Sequence, residues 1–199
     1  YNLRIDELES TTLQSELKFL KNQINPHFLF NMLNNANILV KDAPDEASQI
    51  LEKLDNLLRY QLNDSTRREV FLTADIQFLT SFLELEKVRR DHFEYTIFQE
   101  GNMENICIPP LLFIPFVENA VKHNLDSDNL SYVHLYFSVH NKQLTFRCEN
   151  SKPRVPVKRE GGIGLANVKR RLDLLYESRY TLQIEDKETT YNVNLHLNL

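Results

Sequence analysis

The sequence predicts an α+β protein in two parts, a helical hairpin over the first ninety residues and then interleaved strands and helices. Over residues 1–90 apolar residues recur at steps of three and four, the spacing of one helix face. After residue 90 the spacing changes to alternation, the period of strands. A length of 199 residues with 42% apolar content is enough for one or two compact units with a buried core.

Leu13, Leu17, Leu20, Ile24 and Phe28 form one apolar stripe, interrupted only by Pro26, which ends or kinks a helix because it lacks an N–H. Lys41-Asp42-Ala43-Pro44-Asp45 reads as a turn, with Pro44 opening a second helix. Ala47, Ile50, Leu54, Leu57, Leu58 and Leu62 make its stripe. Two such helices form an antiparallel hairpin with an open apolar face. A dimeric four-helix bundle would cover that face; so would a helical layer packed on its own chain. Thr73 to Arg90 reads as a third helix, with Thr73 or Ser65 as its cap.

Strands follow at Phe93–Ile97, Val133–Val139 and Leu144–Cys148, the last two joined by a tight turn at Asn141-Lys142. Leu111–Asn124 reads as a buried helix entered through proline, and Leu165–Tyr176 as another. Tyr180–Ile184 and Tyr191–Leu197 read as a closing hairpin, so the sheet should be mostly antiparallel. The boundary falls near residues 90–93, dividing the chain into 1–90 and 91–199.

A net charge of −5 with no basic stripe argues against a general nucleic-acid binder. Cys107 and Cys148 lie far apart with no partner at metal-ligand spacing, which argues against a zinc site or a disulfide framework. No apolar run reaches the roughly 20 residues of a membrane span. The chain opens at Tyr1 in mid-pattern, as expected of a piece of a longer protein.

Three constellations could carry chemistry. Gln23-Ile24-Asn25-Pro26-His27-Phe28-Leu29-Phe30-Asn31 sets an imidazole beside a helix kink, with amides one turn away on either side. A histidine with an ordinary pKa near 6.5 is largely neutral at pH 7 and can attack a phosphoryl group; it can equally be a hydrogen-bonded residue of a helix interface. Pro115 to Asn124 places Glu118, Asn119, Lys122 and His123 on an otherwise apolar helix. An Asn oxygen can ligate Mg²⁺ and a Lys can meet the bridged phosphates, or the polar residues mark a solvated helix end. Gly161-Gly162-Ile163-Gly164-Leu165 opens a helix, where a bare backbone and the helix N-terminus favour phosphate; it is also an ordinary loop composition.

Taken together, these segments resemble sensor histidine kinases of the LytS type, which share the GHKL ATPase fold. Residues 23–31 are similar to the phosphoacceptor motif, residues 115–123 to the N box, and Gly162, Gly164, Leu165, Asn167, Val168, Arg171 and Leu172 to the distal glycine box. The resemblance covers nearly the whole chain in the expected order. It implies a dimeric phosphoacceptor hairpin followed by a GHKL-type α/β sandwich that binds ATP. It implies His27 as phosphoacceptor, with Asn31 and Glu118 beside the chemistry. Asn119 would hold Mg²⁺, and Lys122, His123, Glu149, Gly162, Gly164, Leu165 and Asn167 would line the nucleotide. The implied partners are a second copy through the N-terminal helices and a response regulator, a transcription factor, whose Asp receives the phosphate. The implied setting is the cytoplasmic core of a membrane-bound sensor.

The sequence departs from the family pattern in four places. Glu149-Asn150-Ser151-Lys152-Pro153 stands for the proximal glycine box, with Glu149 where the adenine-reading Asp is expected. Ile114 replaces a frequent Gln, residues 151–160 form a short basic segment, and Phe28 follows His27 where many histidine kinases carry an acid. These departures predict weakened nucleotide binding. They also support an alternative from another class, a pseudokinase interaction module that signals by dimer rearrangement with little or no use of ATP.

Overall fold

A computed structural model describes residues 26–126, 129–153 and 163–199, with residues 26, 27, 163 and 164 by backbone alone. The stripe Leu13/Leu17/Leu20/Ile24, Gln23, Gly161 and Gly162 lie outside the described residues.

The expected hairpin consists of α1 (Pro26–Asp42) and α2 (Pro44–Arg59), joined at Ala43. Pro44 suits a first helical position, where its missing N–H has no partner to lose. Asp45 and Glu46 in the first turn of α2 and Arg59 in the last complement the helix dipole. Helix α1 buries Phe28, Met32 and Ala36, at steps of four, and α2 buries Ala47, Ile50, Leu54 and Leu57, as its stripe predicts. Tyr60–Asp64 continues α2 as a π-helical turn. Its wider turn breaks the 3.6-residue period, and Leu62, expected on the buried stripe, is 71% exposed.

Helix α3 (Leu72–Arg89) follows a short strand β1 (Val70–Phe71). Neither Thr73 nor Ser65 caps it. The residue before the helix is Phe71, without a side-chain cap, and the Leu72 N–H is satisfied by the Ile106 carbonyl at 2.8 Å instead. The Ser65 hydroxyl is spent on the carbonyl of Gln61. Helix α3 is buried on several sides, through Leu72, Ile76, Phe78, Leu79, Phe82, Leu83 and Leu85, because it lies between the hairpin and the sheet layer. Of the two coverings open to the hairpin stripe, the structure shows the second at Ile50, Leu54 and Leu57, which are covered by α1 and α3 of their own chain.

The main sheet has the order β2-β4-β5-β7-β6. Its strands are β2 (Phe93–Gly101), β4 (Ser131–His140), β5 (Gln143–Ser151), β6 (Tyr180–Asp186) and β7 (Thr190–Asn198). Strands β2 and β4 are parallel and the other pairs antiparallel, as a mostly antiparallel sheet requires. The parallel pair needs a crossover. Strand β3 (Cys107–Ile108) and helix α4 (Ile114–His123) lie on it, and β3 pairs with β1 as a two-residue ladder too short to show a period. Asn141 and Lys142 both have positive φ, 49° and 63°, the geometry of a two-residue primed hairpin turn. Gly101, with φ 88°, passes so near β4 that a Cβ would sit 2.2 Å from the Val139 carbonyl oxygen.

Helix α4 is shorter than its apolar run, because Leu111 has φ 55° and cannot be helical. Helix α5 (Ile163–Tyr176) contains the expected Leu165–Tyr176. Phe113 stands edge-on to Phe137 at 5.3 Å and packs against Phe146 at 4.5 Å, which fixes the segment entering α4 on one face of the sheet. One apolar cluster runs from Phe28 to Leu197 and crosses the expected boundary near residue 90 without a break.

Candidate active site

Helix α4 turns Ile114, Phe116, Val117, Ala120 and Val121 inward. Glu118 and Asn119 are left half-buried at its margin, His123 half-buried one turn on, and Lys122 exposed. Asn119 has no hydrogen-bond partner among the described residues, so its amide is available to a ligand. Burial pushes the Glu118 carboxyl up to about 7, and the like charge of Glu86 on α3 adds to the effect. Glu86 is itself nearly inaccessible and is held by Arg89 at 2.6 Å. Near neutral pH Glu118 therefore exists in both protonation states.

The far end of α4 is pinned by residues the sequence did not single out. Arg90 donates to Asn124 Oδ1 at 3.0 Å and to the Ser131 hydroxyl at 2.6 Å, and its guanidinium lies 4.5 Å over the Phe93 ring. Asn124 Nδ2 donates to the Tyr132 carbonyl at 3.0 Å, tying the helix end to β4. An Arg before a strand and an Asn after a helix are common surface residues, so neither stood out by type.

The phosphoacceptor candidate His27 is the second residue of α1, and Asn31 follows one turn later, half-buried and engaged in an interaction of its own. The adjoining Phe28 packs on Phe82 of α3, with ring centroids 5.2 Å apart. On the glycine-box helix, Gly164 is the second residue and Leu165 and Asn167 are half-buried. Arg171, 4% exposed, reaches from this helix to the carbonyls of Leu111 and Pro110, at 2.7 and 2.5 Å.

Glu149 is not brought to this side of the sheet. Strand β5 buries Leu144, Phe146, Cys148 and Asn150 alternately, and the Cys148 thiol faces the Phe116 carbonyl of α4 at 4.0 Å. A pleated strand sends the intervening residues to the opposite face. Glu149 lies there, accepting from Arg147 at 2.7 Å and from the Tyr132 hydroxyl at 3.4 Å. The polar residue of β5 on the helix-covered face is Asn150, 1% exposed. Ser151 also faces away from α4, and its hydroxyl accepts the Tyr132 N–H at 3.0 Å. The alternation of Leu144, Phe146 and Cys148 already implies that Asn150, not Glu149, shares the face that meets α4.

Among the described residues no group of three or more His, Cys, Asp or Glu could hold a metal, and no helix is long and apolar enough to cross a membrane. Two surface hollows, one at Arg90, Asp91, His92, Leu125 and Asp126 and one beside Cys107 and Lys142, contain none of the expected site residues.

Comparison with known proteins agrees with this arrangement. A family model described as histidine kinase matches residues 15–93. The sensor protein LytS of Staphylococcus haemolyticus is 30% identical over 207 residues, covering 96% of this chain and 35% of the relative. The sensor histidine kinase YpdA of Escherichia coli is 31% identical over 122 residues, covering 61% of this chain and 22% of the relative. The chain thus spans about a third or less of the length of these relatives. Among solved structures, the histidine kinase domain of a blue-light activated kinase from Erythrobacter litoralis shares the fold, with a TM-score of 0.50 at 18% identity, covering 96% of this chain and 94% of the other. With its α+β architecture and similarity to LytS along nearly all of its own length, the chain belongs to the histidine kinase family of the LytS type.

Proposed function

We propose that this chain is the transmitter core of a two-component sensor, which transfers the γ-phosphoryl group of ATP to His27 and then to an aspartate of a response regulator. The observation that carries the reading is the polar margin of α4. Asn119 lies half-buried and without a hydrogen-bond partner among the described residues, on a helix whose inner face is apolar, next to a carboxyl poised near neutrality. Burying such groups is unfavourable unless a ligand meets them.

The residues fit the expected ligands. Asn119 supplies an amide oxygen suited to a hard cation, Lys122 a mobile positive charge, and the start of α5 at Gly164 backbone N–H groups for phosphate. The chemistry that Mg²⁺ would supply, held by Asn119, is neutralisation of the charge on the phosphates. His123, Leu165 and Asn167 would line the nucleotide, and Asn150, in place of Glu149, would meet the base. A ring nitrogen of neutral His27 would attack the γ-phosphorus, forming a P–N bond as the bond to the ADP oxygen breaks. Asn31 would orient the ring. Glu118, part ionised near neutral pH, would accept the proton that the imidazole sheds.

The division into residues 1–90 and 91–199 is proposed as functional: the first part presents His27 and the second holds ATP, while α3 packs on both. The partners proposed are a second copy and a response regulator, a transcription factor. The setting proposed is the cytoplasmic side of a membrane, reached through sequence outside this chain. The pseudokinase alternative keeps its ground in the absence of any glycine from residues 149–153, and nucleotide use separates the two readings. Incubation with labelled ATP and Mg²⁺ tests the reading. An acid-labile, alkali-stable label that His27→Ala abolishes is expected, and undiminished labelling of that variant would refute it.

A further inference from the structure

Asp75 is fully buried in the first turn of α3, and the chemistry just described makes no use of it. Its Oδ1 accepts from the Tyr60 hydroxyl at 2.5 Å and from the Leu111 N–H at 3.0 Å. The Leu111 carbonyl accepts from Arg171 Nη1 at 2.7 Å, and the Pro110 carbonyl from Nη2 at 2.5 Å. Leu111 is thus held at both ends, by an anion at its N–H and a cation at its carbonyl. It has φ 55°, a left-handed conformation that a branched side chain rarely adopts and that persists only where the surroundings impose it. Helix α4 begins three residues later. Asp75 Oδ2 and Arg171 Nε have no hydrogen-bond partner among the described residues, and both charged groups are buried. An ordinary apolar core would hold neither group, so packing alone does not account for the pair.

We infer that Tyr60, Asp75 and Arg171 are positioning residues for the nucleotide site, clamping Leu111 so that α4 presents Glu118 and Asn119, with Tyr60 tying the clamp to the end of the phosphoacceptor hairpin. Three elements meet at one backbone residue: the π-helical turn after α2 through Tyr60, α3 through Asp75, and α5 through Arg171. Tyr60 also stacks on Phe78, ring centroids 4.7 Å apart, so a movement of the hairpin end pulls on Asp75 directly. The inference rests on the nucleotide reading of Asn119.

The groups facing Asp75 are the Tyr60 hydroxyl, the Arg171 guanidinium and the N–H groups of Leu111 and Phe113; Asp64 acts on Tyr60, and Tyr176 on Arg171. Burial pushes the Asp75 carboxyl up to about 6. It is therefore ionised at about pH 7.5 and mostly neutral at about pH 5.

The test measures Mg-ATP affinity of the 199-residue chain by calorimetry at both pH values, with amide exchange across residues 109–119 and thermal melting. Asp75→Asn should melt cooperatively, bind ATP about tenfold more weakly at the higher pH, and exchange the Leu111–Phe113 amides faster. Tyr60→Phe keeps the ring stack and should weaken binding about threefold. The part of the pH dependence that belongs to Asp75 should vanish in Asp75→Asn, while that of Glu118 stays. Wild-type affinity in both variants, or an unchanged pH profile in Asp75→Asn, would overturn the inference. If Asp75→Asn does not fold, Tyr60→Phe decides: unchanged affinity and exchange overturn it. A wild-type chain that binds no nucleotide overturns the reading of the site and the inference together, whereas normal wild-type binding with unaffected variants overturns the inference alone.

Discussion

Phe28 and Phe82 meet with ring centroids 5.2 Å apart and their planes at 33°, so the residue directly after His27 is anchored on α3. Phe82→Ala should destabilise the chain by about 3–4 kcal/mol, the usual scale for truncating a buried aromatic. Phe30→Ala, at a side chain 64% exposed, should cost about 0.5 kcal/mol or less. Urea denaturation of the two variants checks this. Equal losses would mean that the hairpin is not seated through Phe28.

Glu118 has its carboxyl raised from 4.5 to about 7. A raised carboxyl favours the folded state fully below its unfolded pKa, and that contribution is lost as pH climbs through the folded one. Glu118→Gln should therefore be more stable than wild type at about pH 8, by on the order of 2–3 kcal/mol, with the advantage fading towards about pH 4. Its autophosphorylation rate should be low and flat across neutrality, where wild type rises with pH. Denaturation and labelling series over pH read the two effects separately, and a wild-type-like rate profile would remove Glu118 from the chemistry.

Nucleotide recognition should depend on Asn150 and not on Glu149. Glu149→Gln breaks only the contacts to Arg147 and Tyr132 on the far side of the sheet, so ATP affinity should stay within about twofold. Asn150→Ala should weaken it about tenfold, the loss of one well-made polar contact. The weak binding expected from the sequence is read from the wild-type titration in the same series, since residues 149–153 contain no glycine. Calorimetry on the two variants decides, and the reverse order would restore Glu149 to the site.

Dimerisation should use the apolar residues that the chain itself leaves uncovered. Phe30, Leu33 and Val40 share the outer side of α1, 64%, 42% and 53% exposed. Sedimentation at tens of micromolar should show a dimer, roughly the range in which even weak association is visible. Leu33→Asp should make it monomeric while leaving the melting temperature of the monomer nearly unchanged. A monomeric wild-type chain would count against the bundle.

Local sequence pattern was enough to find both hairpin helices, α3, α5, all five strands of the main sheet and the turn at Asn141-Lys142, even though α3 is buried on several sides and β6 buries no residue fully. The motif residues His27, Asn119 and Gly164 could be named because their types are unusual on apolar helices or cluster where glycine is otherwise rare. Four things required the tertiary structure. The face of β5 that meets α4 decides between Glu149 and Asn150, and a one-residue shift of a pleat reverses it. The hairpin stripe is covered by α3, which no count of apolar residues on α2 could reveal. The two-residue ladder of β1 with β3 is too short to carry a period. The clamp of Tyr60, Asp75 and Arg171 on Leu111 joins residues up to 111 positions apart in sequence. Each of these depends on which distant segment fills the space beside a residue, and that is settled only when the whole core packs at once.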